Sequence, residues 1–321
     1  MGTKILFILP ILTILALTNC SNKDTSEPSE ETPVITAVPA LKGKMVYHSY
    51  TSYESLDSKM YLYDFNTNEL KHISEGWNIQ HSMNAHFSPD GKQITFMGIG
   101  KETDTWDIFL YDLSSTKPPI NLTPNGGTRD EDPKFSPDGK KIVFKKDGNI
   151  AEMNLADKAV KLLLEGDVEY SMPYYNSDGT KLVFTANAGK YLSIMTMDLS
   201  TGTKRTLYDM AEIQDYYPIN ADKTSFYYVS GYSETNPIDQ VYRGYWSGLK
   251  SKLLPFNEPG GDYSDPYPVN DNWVVISSTR AGGLGGYDLY IANVISGEVF
   301  PMTDYNKDIN TSKDELGACF F

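Results

Sequence analysis

The sequence predicts an all-β protein, a six-bladed β-propeller of four-stranded blades whose C-terminal strand completes the first blade. Three observations predict it. "HFSPDGKQITF" (86–96) and "KFSPDGKKIVF" (134–144) are nearly the same phrase, 48 positions apart. Weaker copies continue at spacings in the forties, and an incomplete first unit is matched by one orphan strand at the end of the chain.

The repeated phrase reads as a hairpin. Ser-Pro-Asp-Gly puts a turn-starting Ser first, a φ-fixing Pro second and Gly fourth, as a type I turn prefers. Ile94 and Phe96, like Ile142 and Phe144, then alternate at period two in a β-branched and aromatic run, which is a strand. "YYNSDGTKLVF" (174–184) is a further copy; "PINADKTSFYY" (218–228) has lost the Gly, and "YPVNDNWVVIS" (267–277) keeps the Asp. The turn aspartates Asp90, Asp138, Asp178, Asp222 and Asp271 step by 48, 40, 44 and 49 residues, the mark of a repeat array.

Each copy is followed by a second hydrophobic run and a polar turn, as in "DIFLYDLSSTKPPINLT" (107–123) and "YDLYIANVISGEVFPMT" (287–303), so a unit holds about four strands. The unit at 44–74 lacks the first of them, and "DELGACFF" (314–321) supplies one strand where a seventh unit would begin. Pairing the two closes a ring with only short, protected edges. A linear β-solenoid is the alternative and leaves the orphan strand without a partner. Radial packing of blades also explains how some 275 residues fold without one oversized core.

"FSPDGKKIVF", "NSDGTKLVFTANAG" with "IMTMDLSTG", and "SSTRAGGLGGYDLYIANV" followed by "DINTSKDELGACFF" resemble the repeats of TolB-like six-bladed propellers. The last two are most similar to propeller segments that precede OmpA-type, peptidoglycan-binding domains in Bacteroidetes envelope proteins. The resemblance covers about residues 44–321 and implies a fold rather than an activity. Neither an OmpA-type domain nor the N-terminal domain of TolB is read in the sequence, so the expectation carries neither relative's full role.

"MGTKILFILPILTILALTNC" has one Lys, an apolar run from Ile5 to Leu17, and small or polar residues up to Cys20. That is a secretory signal, short for a spanning helix. "LTNC" resembles a lipobox, which implies cleavage before Cys20 and lipidation of Cys20; a secretory peptide ending by chance in Cys is the alternative. Residues 1–19 are thus expected to be a lipoprotein signal peptide. Residues 20–42, rich in Ser, Thr, Glu and Pro, read as a lipidated, acidic, disordered tether. Residues 43–321 form the propeller. Ser21 after the Cys resembles outer-membrane sorting, with the protein facing the periplasm or the cell surface.

Without residues 1–19 the chain holds 27 basic and 42 acidic residues, a net charge of −15, which excludes nucleic acid as a natural partner. Cys20 and Cys319 are the only cysteines, so there is no disulfide framework. No G-x-S-x-G elbow occurs and all four histidines precede residue 87, which leaves no nucleophile motif and no assignable catalytic residue. Gln80, His81 and His86 are weak metal candidates in the second unit: oligogalacturonate lyases, a related propeller family, hold a metal on His and Gln in the channel, but no later unit supplies a His. A transition-metal site wants three or four convergent ligands.

Carboxylates and tyrosines recur where each unit's first strand begins: Asp130, Glu131, Asp132, Asp215, Tyr216, Asp262, Tyr263, Asp265, Asp314 and Glu315. In a closed ring they gather at one channel mouth. Either they cap strand starts and the rings wedge between blades, or they form an acidic, aromatic rim for a partner's basic segment, a sugar or a Ca²⁺, an ion that takes all-oxygen ligands. "AGGLGGYD" (281–288) precedes a strand rather than a helix and reads as a flexible connector, not a phosphate cradle. The expectation for function is a non-catalytic, lipid-anchored envelope module that binds a protein, glycan or peptidoglycan-associated partner. The alternative is a carbohydrate-active enzyme, lyase or glycosidase, working from the channel mouth.

Overall fold

The computed structural model describes residues 37–101, 105–124, 129–187, 191–209, 213–232 and 237–321. Signal peptide, lipid site and most of the expected tether lie outside the described residues. Among the described residues, the strands form six four-stranded antiparallel sheets, the blades of a propeller.

Blades two to six are contiguous, with inner strands Ile79–Phe87, Asp130–Phe135, Glu169–Tyr175, Asp215–Asn220 and Tyr263–Pro268. Blade one is not. Its outer three strands are Lys44–Tyr50, Lys59–Asp64 and Glu69–His72, and its inner strand is Asp314–Phe320 from the other end of the chain. That strand pairs with Lys44–Tyr50 in the register Met45↔Phe320, Val46↔Cys319 and Tyr50↔Asp314, as the orphan strand requires.

Burial follows the period-two pattern. Ile94 and Phe96, Ile142 and Phe144, and Leu182 and Phe184 are fully buried, each set wedged between its own blade and the preceding one. The polar turns do a second task at these seams. A Cβ on Gly139 would lie 3.3 Å from Pro89 Cδ, and one on Gly179 would lie 3.4 Å from Pro137 Cδ, so each turn's Pro rests on the glycine of the following turn. Phe321 takes the same seat on Gly91, where a Cβ would come within 2.1 Å of its ring.

Candidate functional site

All six inner strands break at the same level. Asn84, Asp132, Met172, Tyr217, Asp265 and Gly317 have φ between +49° and +61°, and each marks a register shift against the neighbouring strand. The result is a ring of six bulges around the channel. Five of the six are not glycine, and Met and Tyr gain nothing locally from the left-handed region. Such strain persists only where the surroundings over-determine it. Here Asn84 Nδ2 donates to Asp132 Oδ1 at 2.9 Å, and Asp265 Oδ2 accepts the Gly317 amide at 3.0 Å. At Gly317 a side chain has no room, since a Cβ would meet the His48 ring at 2.4 Å.

Two residues further along each strand lies a second layer: His86, Lys134, Tyr174, Ile219, Tyr267 and Cys319. His86 Nδ1 accepts the Phe135 amide at 3.1 Å, which leaves the proton on Nε2 to donate to Tyr174 Oη at 2.7 Å. Tyr174 in turn donates to Tyr267 Oη at 3.5 Å. Burial, with Lys134 nearby, drives His86 well below its ordinary range, so this ring is neutral. Burial also lowers Lys134 while Asp132 and Asp265 hold its charge, and it pushes the Cys319 thiol up to about 11, which makes that sulfur unreactive. Between the layers a void of about 10 Å³, lined by Asp132, Lys134, Met172 and Tyr217, holds at most a single water. These two layers of largely buried side chains lie between an entry mouth, where the inner strands start, and an exit mouth, where they end.

The entry mouth, where the inner strands start, carries the acids expected from the sequence, but they do not form a free rim. Asp130, Glu131, Asp132, Asp215, Tyr263, Asp265 and Glu315 are buried; only Tyr216, Asp262 and Asp314 are half-exposed. Glu131 is clamped by Arg129 at 2.8 Å and by Lys145, its cross-strand partner, at 3.0 Å. Lys146 approaches Asp130 at 3.3 Å. Glu315 accepts from Ser49 Oγ at 2.8 Å and from Thr311 N and Oγ1 at 3.0 and 2.7 Å. Asp262 accepts Tyr287 Oη at 2.6 Å and the Asp239 amide at 2.8 Å, while Tyr216 donates to Asp239. Tyr263 donates to the Phe256 carbonyl at 3.2 Å. Charges that recur at strand starts are consumed in bonds inside the fold, most of them within one blade.

The metal candidates do not converge. His81 accepts the Ser58 amide through Nδ1 at 3.1 Å, sits among Tyr50, Tyr53 and Trp106, and is lowered to about 4 by burial. His86 belongs to the opposite side of the bulge. Among the described residues no three His, Cys, Asp or Glu side chains are grouped to hold a metal ion.

The exit mouth is different. A cavity of about 280 Å³ opens there, with His86, Phe87, Tyr174, Tyr267 and Phe321 among its lining residues and Pro89, Pro137, Ser177 and Asn220 around it. Asn220 Nδ2 donates to Ser177 Oγ at 3.0 Å, while its Oδ1 is buried with no partner among the described residues. An open basin lined by aromatic faces is the form of a recognition site. The sequence reading assigned these residues to hairpins; the signal for the site was the aromatic residue before each turn, which a ring brings to one end. A larger groove of about 480 Å³ between blades three and four is less apt, since its Lys141 and Glu152 pair with each other at 2.8 Å.

Residues 23–242 match the model of the TolB beta propeller domain. The chain belongs to that family. Its fold is similar to that of TolB from Acinetobacter baumannii (20% identity, TM-score 0.67, covering 88% of this chain and 67% of that one). It is also similar to hydrazine synthase of Kuenenia stuttgartiensis (13%, 0.69, 87% and 46%) and to an oligogalacturonate lyase in complex with manganese (18%, 0.53, 82% and 74%). Identities this low carry the propeller alone, and the TolB-like fold supports a binding or scaffold role.

Proposed function

We propose that this TolB-family propeller is a non-catalytic binding module of the cell envelope, anchored through lipidated Cys20 at the outer membrane, which receives a segment of a partner protein in the exit-mouth basin. The observation that carries the reading is the contrast in partnering: the basin presents aromatic faces to an open cavity, while the acids of the other mouth are internally bonded. A peptide brings apolar and aromatic side chains for the rings. The lipobox-like "LTNC" supports the anchor, and the Ser- and Pro-rich stretch to residue 42 supports a tether. Among the described residues no helix is long and apolar enough to cross a membrane.

A photo-crosslinking residue placed at exposed Ser177, compared with one at exposed Glu169 on the entry side, tests this in cells. An envelope-protein adduct from Ser177 and none from Glu169 is the expected outcome. Adducts from Glu169 alone would refute the choice of mouth. Depolymerisation of galacturonate oligomers by the purified chain, lost in His86→Ala, would replace the binding module by the lyase that shares its fold.

A further inference from the structure

The glycine-rich loop at 281–286 is more than a connector. Gly283, Gly285 and Gly286 lie so close to oxygen atoms that side chains are excluded. A Cβ would come within 2.1 Å of Asp288 Oδ2 at Gly283, 1.9 Å of the Lys313 carbonyl and 3.0 Å of the Thr311 carbonyl at Gly285, and 2.1 Å of Asp314 Oδ1 at Gly286. The loop turns its amides to the same oxygens. Asp288 Oδ2 accepts from Leu284 N at 2.7 Å and from Gly285 N at 3.2 Å, and Asp314 Oδ1 accepts from Tyr287 N at 2.9 Å. Two carboxylates and two main-chain carbonyls thus converge on one four-residue stretch.

The arrangement is incomplete as it stands. Asp288 is 1% exposed, and its Oδ1 has no hydrogen-bond partner among the described residues. An unpaired carboxylate oxygen out of water is among the costliest groups a fold can hold. The cation nearest the cluster by sequence, Lys313, reaches the other way, to Asp57 at 3.8 Å. Glu315, whose oxygens are filled by Ser49 and Thr311, fixes the 311–313 turn so that its carbonyls stay beside Gly285.

We infer that the loop is a calcium cradle in which Asp288 Oδ1, Asp314 and the carbonyls of Thr311 and Lys313 bind one Ca²⁺ between blade six and the strand that closes blade one. All donors are oxygens, half of them neutral carbonyls on a turn. That set suits the 6–8-coordinate, geometrically tolerant Ca²⁺, with water completing the shell, better than the strict octahedron of Mg²⁺. With two carboxylates the affinity expected is that of extracellular calcium modules, a Kd on the order of 0.1–1 mM.

The full chain, stripped with EGTA, is titrated with CaCl₂ and with MgCl₂ by calorimetry and thermal melting, and with Tb³⁺, whose emission neighbouring Tyr287 and Tyr290 would sensitise. Expected are a rise in Tm of about 2 °C or more at 5 mM Ca²⁺ with a much smaller Mg²⁺ effect, and Tb³⁺ emission quenched by Ca²⁺. Asp288→Asn keeps an acceptor for the loop amides and should abolish both signals; Asp314→Asn should weaken binding roughly tenfold, since removing one of two charged ligands leaves a much weaker oxygen site. A wild-type chain with no Tm shift, no heat and no Tb³⁺ signal overturns the inference. An undiminished Ca²⁺ response in Asp288→Asn overturns it as well.

Discussion

The two mouths of the channel use similar numbers of polar and aromatic side chains to opposite ends. At the entry mouth Glu131, Asp262 and Glu315 each meet two or more donors of the protein itself, and their charge is spent inside the fold. At the exit mouth the aromatic faces are left over. The lesson is that a conspicuous run of acids marks where the strands and loops of a blade are tied, while the surface available to a partner is built from residues whose local role is only to start a turn.

The comparison can be broken most violently by removing the wall both mouths share. Deleting residues 314–321 takes away the inner strand of blade one, with buried Leu316, Ala318 and Cys319, and bares the edge of Lys44–Tyr50. A chain that aggregates or melts more than about 10 °C lower is expected by circular dichroism and size-exclusion chromatography. Next in size is the buried layer between the mouths. Lys134→Met leaves Asp132 and Asp265 buried without their ammonium and should cost roughly 3 kcal/mol in urea unfolding; adding Asp132→Asn and Asp265→Asn should recover part of it.

The entry mouth is also predicted to respond to pH. Burial raises the Asp239 carboxyl to about 6, while in the unfolded chain it titrates near its usual value of about 4. The folded protein therefore holds the extra proton between those values, and stability falls as pH rises from about 4 to about 6, by an amount on the order of 2 kcal/mol. Asp239→Asn should flatten that slope in unfolding measured across the window. The smallest effect on stability belongs to the exit mouth: Ser177→Trp, at an exposed position, should shift stability by no more than about 0.5 kcal/mol while its bulk obstructs the basin and abolishes partner capture. If the entry-side variants impaired capture at unchanged stability and Ser177→Trp did not, the contrast between the mouths would be reversed.

The fold was legible because its signals are local and periodic. Ser-Pro-Asp-Gly turns, alternation after them and the unmatched strand at 314–321 lead to six closed blades, and the structure has them. The entry-mouth acids mark the inner strands, yet their burial was not legible, since it depends on partners such as Lys145 and Tyr287 in other strands. The bulge ring was visible only in part. Asn84, Asp132 and Asp265 are residue types that tolerate positive φ, but nothing local to Met172 or Tyr217 announces it. The loop at 281–286 was read as flexible from its glycines, where close approach to Asp288, Lys313 and Asp314 is what excludes a side chain.

The seating of each turn's Pro on the next turn's Gly has a consequence for how such a ring can be rebuilt. Pro89 needs Gly139 and Pro137 needs Gly179, but where the fourth turn has Ser177 in the Pro position the fifth has Lys223 in place of the Gly, and a hydrogen bond from Asn220 to Ser177 spans that junction instead. Both halves of the pair have changed together. The unit that can be transplanted or duplicated without repair is thus the joint between two blades, half from each, and a blade moved by its own sequence boundaries carries two mismatched half-joints with it.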